Sequence, residues 1–238
     1  MLEFLRKKKS RKHYHSPIKN PNCINLEVDK WNTSEFVLNR LVKVVGIRPY
    51  PLDELMFMTA SICYFRPTHI FEWGTHIGKS ARIFYEIIEA YNIDAQIYSY
   101  DLPDDIEHQE HPKENRGSLV RGLDRVNLFQ EDGVQGSFRV LGKSKNSLGN
   151  IFYYLDGDHA FSSVLRELNE IYEEYPNAIV LCHDTFFQSD KSQYNVGPYN
   201  AINSFIEENK GKYSCLSNSW GLPGMTLIYP KVNLENCQ

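Results

Sequence analysis

The sequence predicts an α/β protein: a seven-stranded, mostly parallel sheet with helices on both faces and an antiparallel hairpin at its C-terminal end. Three observations predict it. Short apolar segments of strand length alternate with amphipathic helical segments between residues 70 and 182, the pattern of repeated strand–helix units. The strand-like segments carry acids at their C-terminal ends, and one ends in a His-Asp pair. The last two strand-like segments have no helix between them, only a short link containing Gly221-Leu222-Pro223-Gly224, which is a hairpin signal.

Residues 1–31 read as a basic, extended lead-in containing prolines, and residues 32–66 as a helical extension. Asn32 followed by Glu35 is a capping signal, and Val37, Leu38, Leu41, Val44 and Val45 follow at helical spacing. Gly46 stops that helix, and a second runs from about Leu52 to Tyr64, ending before Pro67. The sheet domain occupies residues 67–238. Its strands are expected at Ile70–Trp73, Gln96–Tyr100, Val126–Gln130, Ile151–Leu155, Ala178–Cys182, Lys212–Ser217 and Met225–Tyr229. Helices are expected at Lys79–Tyr91, Arg116–Arg125, Phe161–Tyr175 and Ala201–Asn209, with an acidic loop over residues 102–114.

Composition narrows the class. Charged residues at 24% and aromatics at 13% are ordinary for a globular chain and exclude a mainly disordered or collagen-like one. No apolar run approaches the ~18 residues of a membrane-spanning helix. No apolar segment follows the basic start, so it does not read as a secretory signal. Residues 1–20 hold seven Lys/Arg and one Glu, which leaves 19 basic and 29 acidic side chains for the rest. An acidic body argues against nucleic acid as the main partner. The basic tail offers weak contact with an anionic surface, or is simply solvated. Five cysteines at long spacings, with no C-x-x-C, make neither a disulfide framework nor a structural zinc site. Cys63 and Cys182 read as small core residues, and reduced thiols fit a cytoplasmic protein.

Ligands of an open parallel sheet bind beyond the carboxyl ends of its strands. Glu72, Asp101, Glu131-Asp132, Asp156 and His183-Asp184 all fall there. Two carboxylates about 4 Å apart repel by roughly 4 kcal/mol at an effective dielectric of 20. A rim of five acidic strand ends therefore calls for a cation, a bound proton or a positively charged ligand. The first turn, Glu72-Trp73-Gly74-Thr75-His76-Ile77-Gly78-Lys79-Ser80, follows a strand and opens a helix. Gly74 allows a tight turn and Gly78 a close backbone approach to a ligand. The dinucleotide spacing G-x-G-x-x-G is absent, and the phosphate loop G-x-x-x-x-G-K-[ST] is one residue short, although Lys79 and Ser80 are in place.

The pattern E-x-G-T-x-x-G-x-S resembles the first motif of class I S-adenosylmethionine-dependent methyltransferases, whose Rossmann-like fold carries the same terminal hairpin. The resemblance covers about residues 50–230. It implies S-adenosylmethionine as cofactor, with Glu72, Gly74, Thr75, Gly78 and Ser80 around its methionine part. It places Asp101 on the ribose hydroxyls and Asp132 near the adenosine. Tyr153-Tyr154-Leu155-Asp156-Gly157-Asp158-His159, followed by Val180-Leu181-Cys182-His183-Asp184-Thr185, resembles the small-molecule and sugar O-methyltransferases of cephamycin- and macrolide-tailoring type. Through these relatives Asp156, His183 and Asp184 become a metal site, with Asp156 also beside the cofactor. His183 replaces a carboxylate there. The site then holds Mg²⁺ through fewer protein ligands, a metal that accepts imidazole such as Mn²⁺, Fe²⁺ or Zn²⁺, or none. His159, three residues past Asp156, stands where catechol-type relatives place a Lys base, and with Asp156 it is the catalytic candidate.

The implied reaction is methyl transfer to a hydroxyl of a small molecule or sugar, with metal assistance as an open addition. Tyr194, Tyr199 and Trp220 suit stacking on an acceptor, or plain packing. Residues 102–114, with His108 and His111, suit a mobile lid or a solvated loop. N-methylation, a phosphotransferase using Lys79 and Ser80 with Asp156 near Mg²⁺, and a non-catalytic cofactor-binding module remain as alternatives. No complete iron facial triad supports a hydroxylase. Helices at the N-terminus build dimers in many relatives, which makes a homodimer one expected assembly.

Overall fold

Strands β4 (Ile151–Leu155) and β5 (Ile179–His183) are buried along their whole length, as strands covered on both faces must be. The computed structural model describes residues 13–21, 23, 25–106, 113–142 and 149–231. With β1 (His69–Trp73), β2 (Gln96–Asp101), β3 (Val126–Gln130), β6 (Tyr213–Asn218) and β7 (Met225–Pro230), β4 and β5 form one sheet of order β3-β2-β1-β4-β5-β7-β6. The first five strands are parallel, and β7 runs antiparallel to both β5 and β6. This is the predicted sheet, including its terminal hairpin.

Alternate residues of each strand feed two apolar cores. Ile70, Ile97, Phe152, Tyr154 and Leu181 face α3 (Leu52–Phe65) and α4 (Lys79–Ala90), and Phe36 and Leu41 of the N-terminal helix join them. Phe71, Tyr100, Tyr153 and Val180 face α5 (Gly133–Leu141), α6 (Phe161–Glu174) and α7 (Val196–Glu208). The helical extension is thus built into one core of the sheet rather than appended to it. The lead-in also packs down: Tyr14 N–H donates to Ala90 O at 2.8 Å, and its ring lies 5.3 Å from that of Phe36.

Several elements differ from expectation, each for a local reason. The first helix starts earlier: Asp29 caps α1 (Lys30–Phe36) by accepting from Trp31 and Asn32 N–H. Asn32 instead accepts the Tyr91 hydroxyl at 2.9 Å. The helix continues through one π-helical stretch (Val37–Leu41) into α2 (Val42–Val45) and stops, as expected, at Gly46. The expected helix at 116–125 is a series of turns after a short 3₁₀ segment (Lys113–Asn115), because Gly117 and Gly122 take φ of +62° and +79°. Helix α5 was not expected, since Gly133 and Gly136 weaken helix propensity. Both are packing solutions: a Cβ at Gly133 would sit 2.6 Å from the Trp73 ring, and one at Gly136 2.2 Å from the Tyr100 ring. Helix α7 begins at Val196, five residues before its expected start at Ala201.

Among the described cysteines, Cys23, Cys63, Cys182 and Cys215 are free, and Cys63 and Cys182 are buried as expected. No described helix is long and apolar enough to cross a membrane. The basic residues up to Lys12, the loop histidines His108 and His111 and Cys237 lie outside the described residues.

Candidate active site

Strand register brings the site together. Trp73 lies opposite Tyr100 and Leu155, Leu155 opposite Cys182, and His183 opposite Met225. The residues at or just past these positions, Gly74, Asp101, Asp156 and His183, emerge in one row at the carboxyl end of the sheet. Gly74 and Thr75 N–H both donate to Tyr100 O, at 2.9 and 3.2 Å. Gly74 takes φ +87°, and a Cβ there would lie 2.3 Å from the Asp156 carbonyl oxygen. The first turn therefore lies directly against the end of β4.

Asp156 is the hub. Its Oδ2 accepts the Tyr50 hydroxyl at 2.9 Å and the Tyr154 hydroxyl at 3.3 Å, and its Oδ1 lies 3.0 Å from His183 Nδ1. Burial works to raise its pKa. The His183 charge, with the nearby His159 and hydrogen bonds from His183 and Tyr50, outweighs that and holds the carboxyl well below the usual range.

His183 is only 4% exposed. Its Nε2 lies 3.1 Å from Glu54 Oε2, and its Nδ1 also approaches Asp184 Oδ2 at 3.4 Å. Burial disfavours its charge, but Asp156 foremost, with Asp184 and Glu54, raises its pKa well above the ordinary value. A neutral imidazole carries one N–H. With carboxylates on both nitrogens, the imidazolium is the form that satisfies every partner. Asp184 itself sits at φ +55°, a left-handed conformation that costs a non-glycine residue about 1–3 kcal/mol and collects at functional sites.

His159 is partly exposed on the rim, with Nε2 3.3 Å from Asp184 Oδ2 and 3.9 Å from Asp156 Oδ1. Its pKa is raised, chiefly by its approach to Asp156 and then by the Asp184 charge, against the opposing effect of burial. One ligand atom each from Asp156, His183 and Asp184 lie within 4.8 Å of one another, so these three side chains can close on a single cation. Tyr194 reaches the same place, its hydroxyl 3.3 Å from Asp184 Oδ1. Tyr199 stacks on Phe187 at 4.6 Å. Trp220 is exposed, with its indole N–H donating to Asp53 at 2.6 Å.

The remaining predicted residues divide by environment. Glu72 is fully buried. Ser99 Oγ donates to its Oε1 at 2.6 Å, and its Oε2 has no hydrogen-bond partner among the described residues. Burial pushes its pKa up to about 8, with Ser99 and Ser80 opposing that rise. Asp101 Oδ2 accepts His76 N–H at 2.9 Å, and Arg116 Nε lies 3.4 Å from it. Thr75 is buried with its hydroxyl 2.6 Å from Ser99 Oγ. A Cβ at Gly78 would meet Val120 at 2.8 Å, so the close approach this glycine permits is to the 117–120 turns. Asp132 caps α5 through Gln135 N–H at 3.0 Å and lies 3.3 Å from Arg166.

Much of the acidic rim is thus matched by the chain's own side chains: Arg116 on Asp101 and Asp104, Arg139 on Glu131, Arg166 on Asp132, and the two histidines on Asp156 and Asp184. Glu72 is the exception: one of its oxygens has no partner among the described residues. Lys79 Nζ donates to Arg48 O at 2.5 Å and pins the loop that carries Tyr50. That gives the lysine of the near-miss phosphate loop a structural partner.

Sequence reasoning did not single out Tyr50 or Glu54. Both belong to the helical extension, more than 100 positions from their partners. The only signal for Glu54 was an acid in a helix whose following residues are mostly apolar.

A family model described as rhamnosyl O-methyltransferase/CmcI matches residues 40–219. That span includes Tyr50, Glu54 and every predicted cofactor, metal and catalytic residue. No curated protein sequence matches the chain. Among solved structures it is similar to an O-methyltransferase from Bacillus cereus in complex with S-adenosylhomocysteine, at 15% identity and TM-score 0.53, covering 84% of this chain and 90% of that one. It is also similar to CalS11, a TDP-rhamnose 3'-O-methyltransferase of calicheamicin biosynthesis, at 17% identity and TM-score 0.52, covering 82% and 86%. The Podospora anserina methyltransferase PaMTH1, bound to S-adenosylhomocysteine, gives 18% identity and TM-score 0.51, covering 85% and 87%. These three share the class I methyltransferase fold with this chain.

Proposed function

Because the chain belongs to the rhamnosyl O-methyltransferase/CmcI family of S-adenosylmethionine-dependent methyltransferases, we propose that it methylates a sugar hydroxyl at the Asp156–His183–Asp184 cluster. One observation carries this reading: three metal-competent side chains and His159 converge beside the Gly74 turn. The family's rhamnosyl description and Tyr194, whose ring carries a hydroxyl 3.3 Å from Asp184 Oδ1, support a sugar acceptor.

Bound S-adenosylmethionine supplies an already activated methyl group, so the protein has only to align and deprotonate the acceptor. The residues present fit this cofactor. The orphaned Glu72 Oε2 is a buried acceptor of the kind an α-ammonium group needs. Asp101 keeps two carboxylate oxygens with lone pairs beyond those used by His76 and Leu102 N–H, enough for a vicinal diol. A divalent cation also fits the donor set, and it would supply Lewis-acid stabilisation of an ionised hydroxyl. The imidazole among the donors favours Mn²⁺ over Mg²⁺.

His159 accepts the acceptor's proton at Nε2, with Asp184 and Asp156 orienting the ring and stabilising the cation that forms. To act as a base it must first be neutral, and its acidic neighbours raise the pH at which that happens. Methyl transfer to a TDP-deoxysugar is therefore expected to rise with pH through a midpoint above the ordinary histidine value of about 6.5. Rates are followed as S-adenosylhomocysteine release. In His159→Ala the ascending limb should vanish and the rate fall about 10²–10⁴-fold. A variant that keeps both limb and rate removes His159 from the reaction.

A further inference from the structure

Glu54 is an acidic residue on α3 and is 1% exposed. Burying an acid so completely demands that both oxygens be satisfied, and both are. Oε1 accepts Gly224 N–H at 2.8 Å, and Oε2 lies 3.1 Å from His183 Nε2. One carboxylate thereby ties three separate elements: α3, the end of β5 and the start of β7. The Gly224 backbone is fixed from the other side as well, since its carbonyl accepts Thr185 N–H at 3.1 Å, one residue past Asp184. Tyr50 completes the enclosure, its ring centroid 5.0 Å from that of His183.

An imidazole can present either nitrogen to a site, and the choice is set by what the other nitrogen bonds. Glu54 offers only acceptors, so it requires a proton on Nε2. Nδ1 is then the nitrogen that faces Asp156 and Asp184. We propose that Glu54 is a positioning residue that holds His183 with Nε2–H outward and Nδ1 inward, making an imidazole usable where an acid-only site would bind a hard cation. The metal part of this inference rests on the reading of Asp156, His183 and Asp184 given above; the orientation of His183 does not. The carboxylate–histidine–metal relay that results is one whose outer acid is worth about 10–100-fold in metal affinity.

The test compares wild type with Glu54→Gln and Glu54→Asp. Gln keeps the shape but has a single acceptor oxygen for two N–H donors. Asp keeps the charge but is one methylene too short to reach both. The probes are Mn²⁺ titrated by calorimetry into the full chain, and the ¹⁵N resonances of His183 in the metal-free protein. Their assignment comes from His183→Gln. If the proposal holds, Glu54→Gln weakens Mn²⁺ by about 10–100-fold, while S-adenosylhomocysteine affinity stays within about twofold. The His183 ¹⁵N pair also moves away from its wild-type positions. Equal Mn²⁺ affinity in wild type and Glu54→Gln overturns it. If wild type binds no Mn²⁺, the metal reading fails by itself and the ¹⁵N spectra decide the orientation claim. Unchanged resonances then overturn that claim, and shifted ones uphold it. Should Glu54→Gln fail to fold, Glu54→Asp takes its place in both arms.

Discussion

Gly74→Ala is expected to lower the melting temperature by about 10 °C and to abolish cofactor binding. The added Cβ would sit 2.3 Å from the Asp156 carbonyl oxygen and 3.1 Å from its carbonyl carbon. Both are backbone atoms at the buried end of β4, so no flexible side chain can swing away. Overpacking of this kind costs about 1–3 kcal/mol. A left-handed backbone adds about 1–2 kcal/mol for a residue with a Cβ. Together these make about 2–5 kcal/mol, and each kcal/mol moves the melting point of a chain this size by about 2–4 °C. Gly122→Ala is the internal control. Gly122 has φ +79°, but a Cβ there would meet nothing within 4 Å, so only the backbone share should be lost. Equal melting temperatures for the two variants would contradict the close approach of the first turn to Asp156. Calorimetric titration of S-adenosylhomocysteine reads the binding half of the prediction.

Asp156→Asn should be the most damaging isosteric change for chemistry. The carboxylate receives two hydroxyl donors on Oδ2 and faces the His183 ring on Oδ1. An amide offers one oxygen for these three partners and turns NH₂ toward the others. It also removes the negative charge that, more than any other group, keeps His183 protonated. We expect methyl transfer to fall by roughly 10³-fold, about 4 kcal/mol of lost transition-state stabilisation, and Mn²⁺ binding to weaken at least tenfold. Circular dichroism and the melting temperature check that the fold survives. A variant with near wild-type turnover would remove Asp156 from the centre of the mechanism.

Strand positions were legible because each sheet segment is a short apolar run bounded by turn residues, and β3 and β4 lie where the pattern put them. Parallel register then carries any residue at a strand's end to the shared rim, so Glu72, Asp101, Asp132, Asp156 and His183-Asp184 could be placed together without coordinates, whereas Asp156, His183 and Asp184 were singled out as a set only through the resemblance. Helix α5 was hidden because its glycines serve the Trp73 and Tyr100 rings, a tertiary demand that local propensity does not encode. The helix expected at 116–125 gives way to turns because Gly117 and Gly122 take positive φ, which the segment's composition does not reveal. Tyr50 and Glu54 stayed invisible for a different reason. Their partners lie more than 100 positions away, and one acid on an apolar helix has no sequence signature of a role. Asp132 shows the reverse: an acid at a strand end that the structure uses to cap the next helix.

The most direct test of the account is calorimetric titration of S-adenosylhomocysteine into wild type and Asp101→Ala, with the melting temperature of each measured alongside. Asp101 joins the first turn, through His76 N–H, to the place assigned to the cofactor's ribose. Each lost hydrogen bond to a charged group is worth about 1.5–3 kcal/mol. The account predicts micromolar binding to wild type and a loss of at least about tenfold in a folded Asp101→Ala. Equal affinity in the two proteins would contradict the placement of the cofactor along this rim.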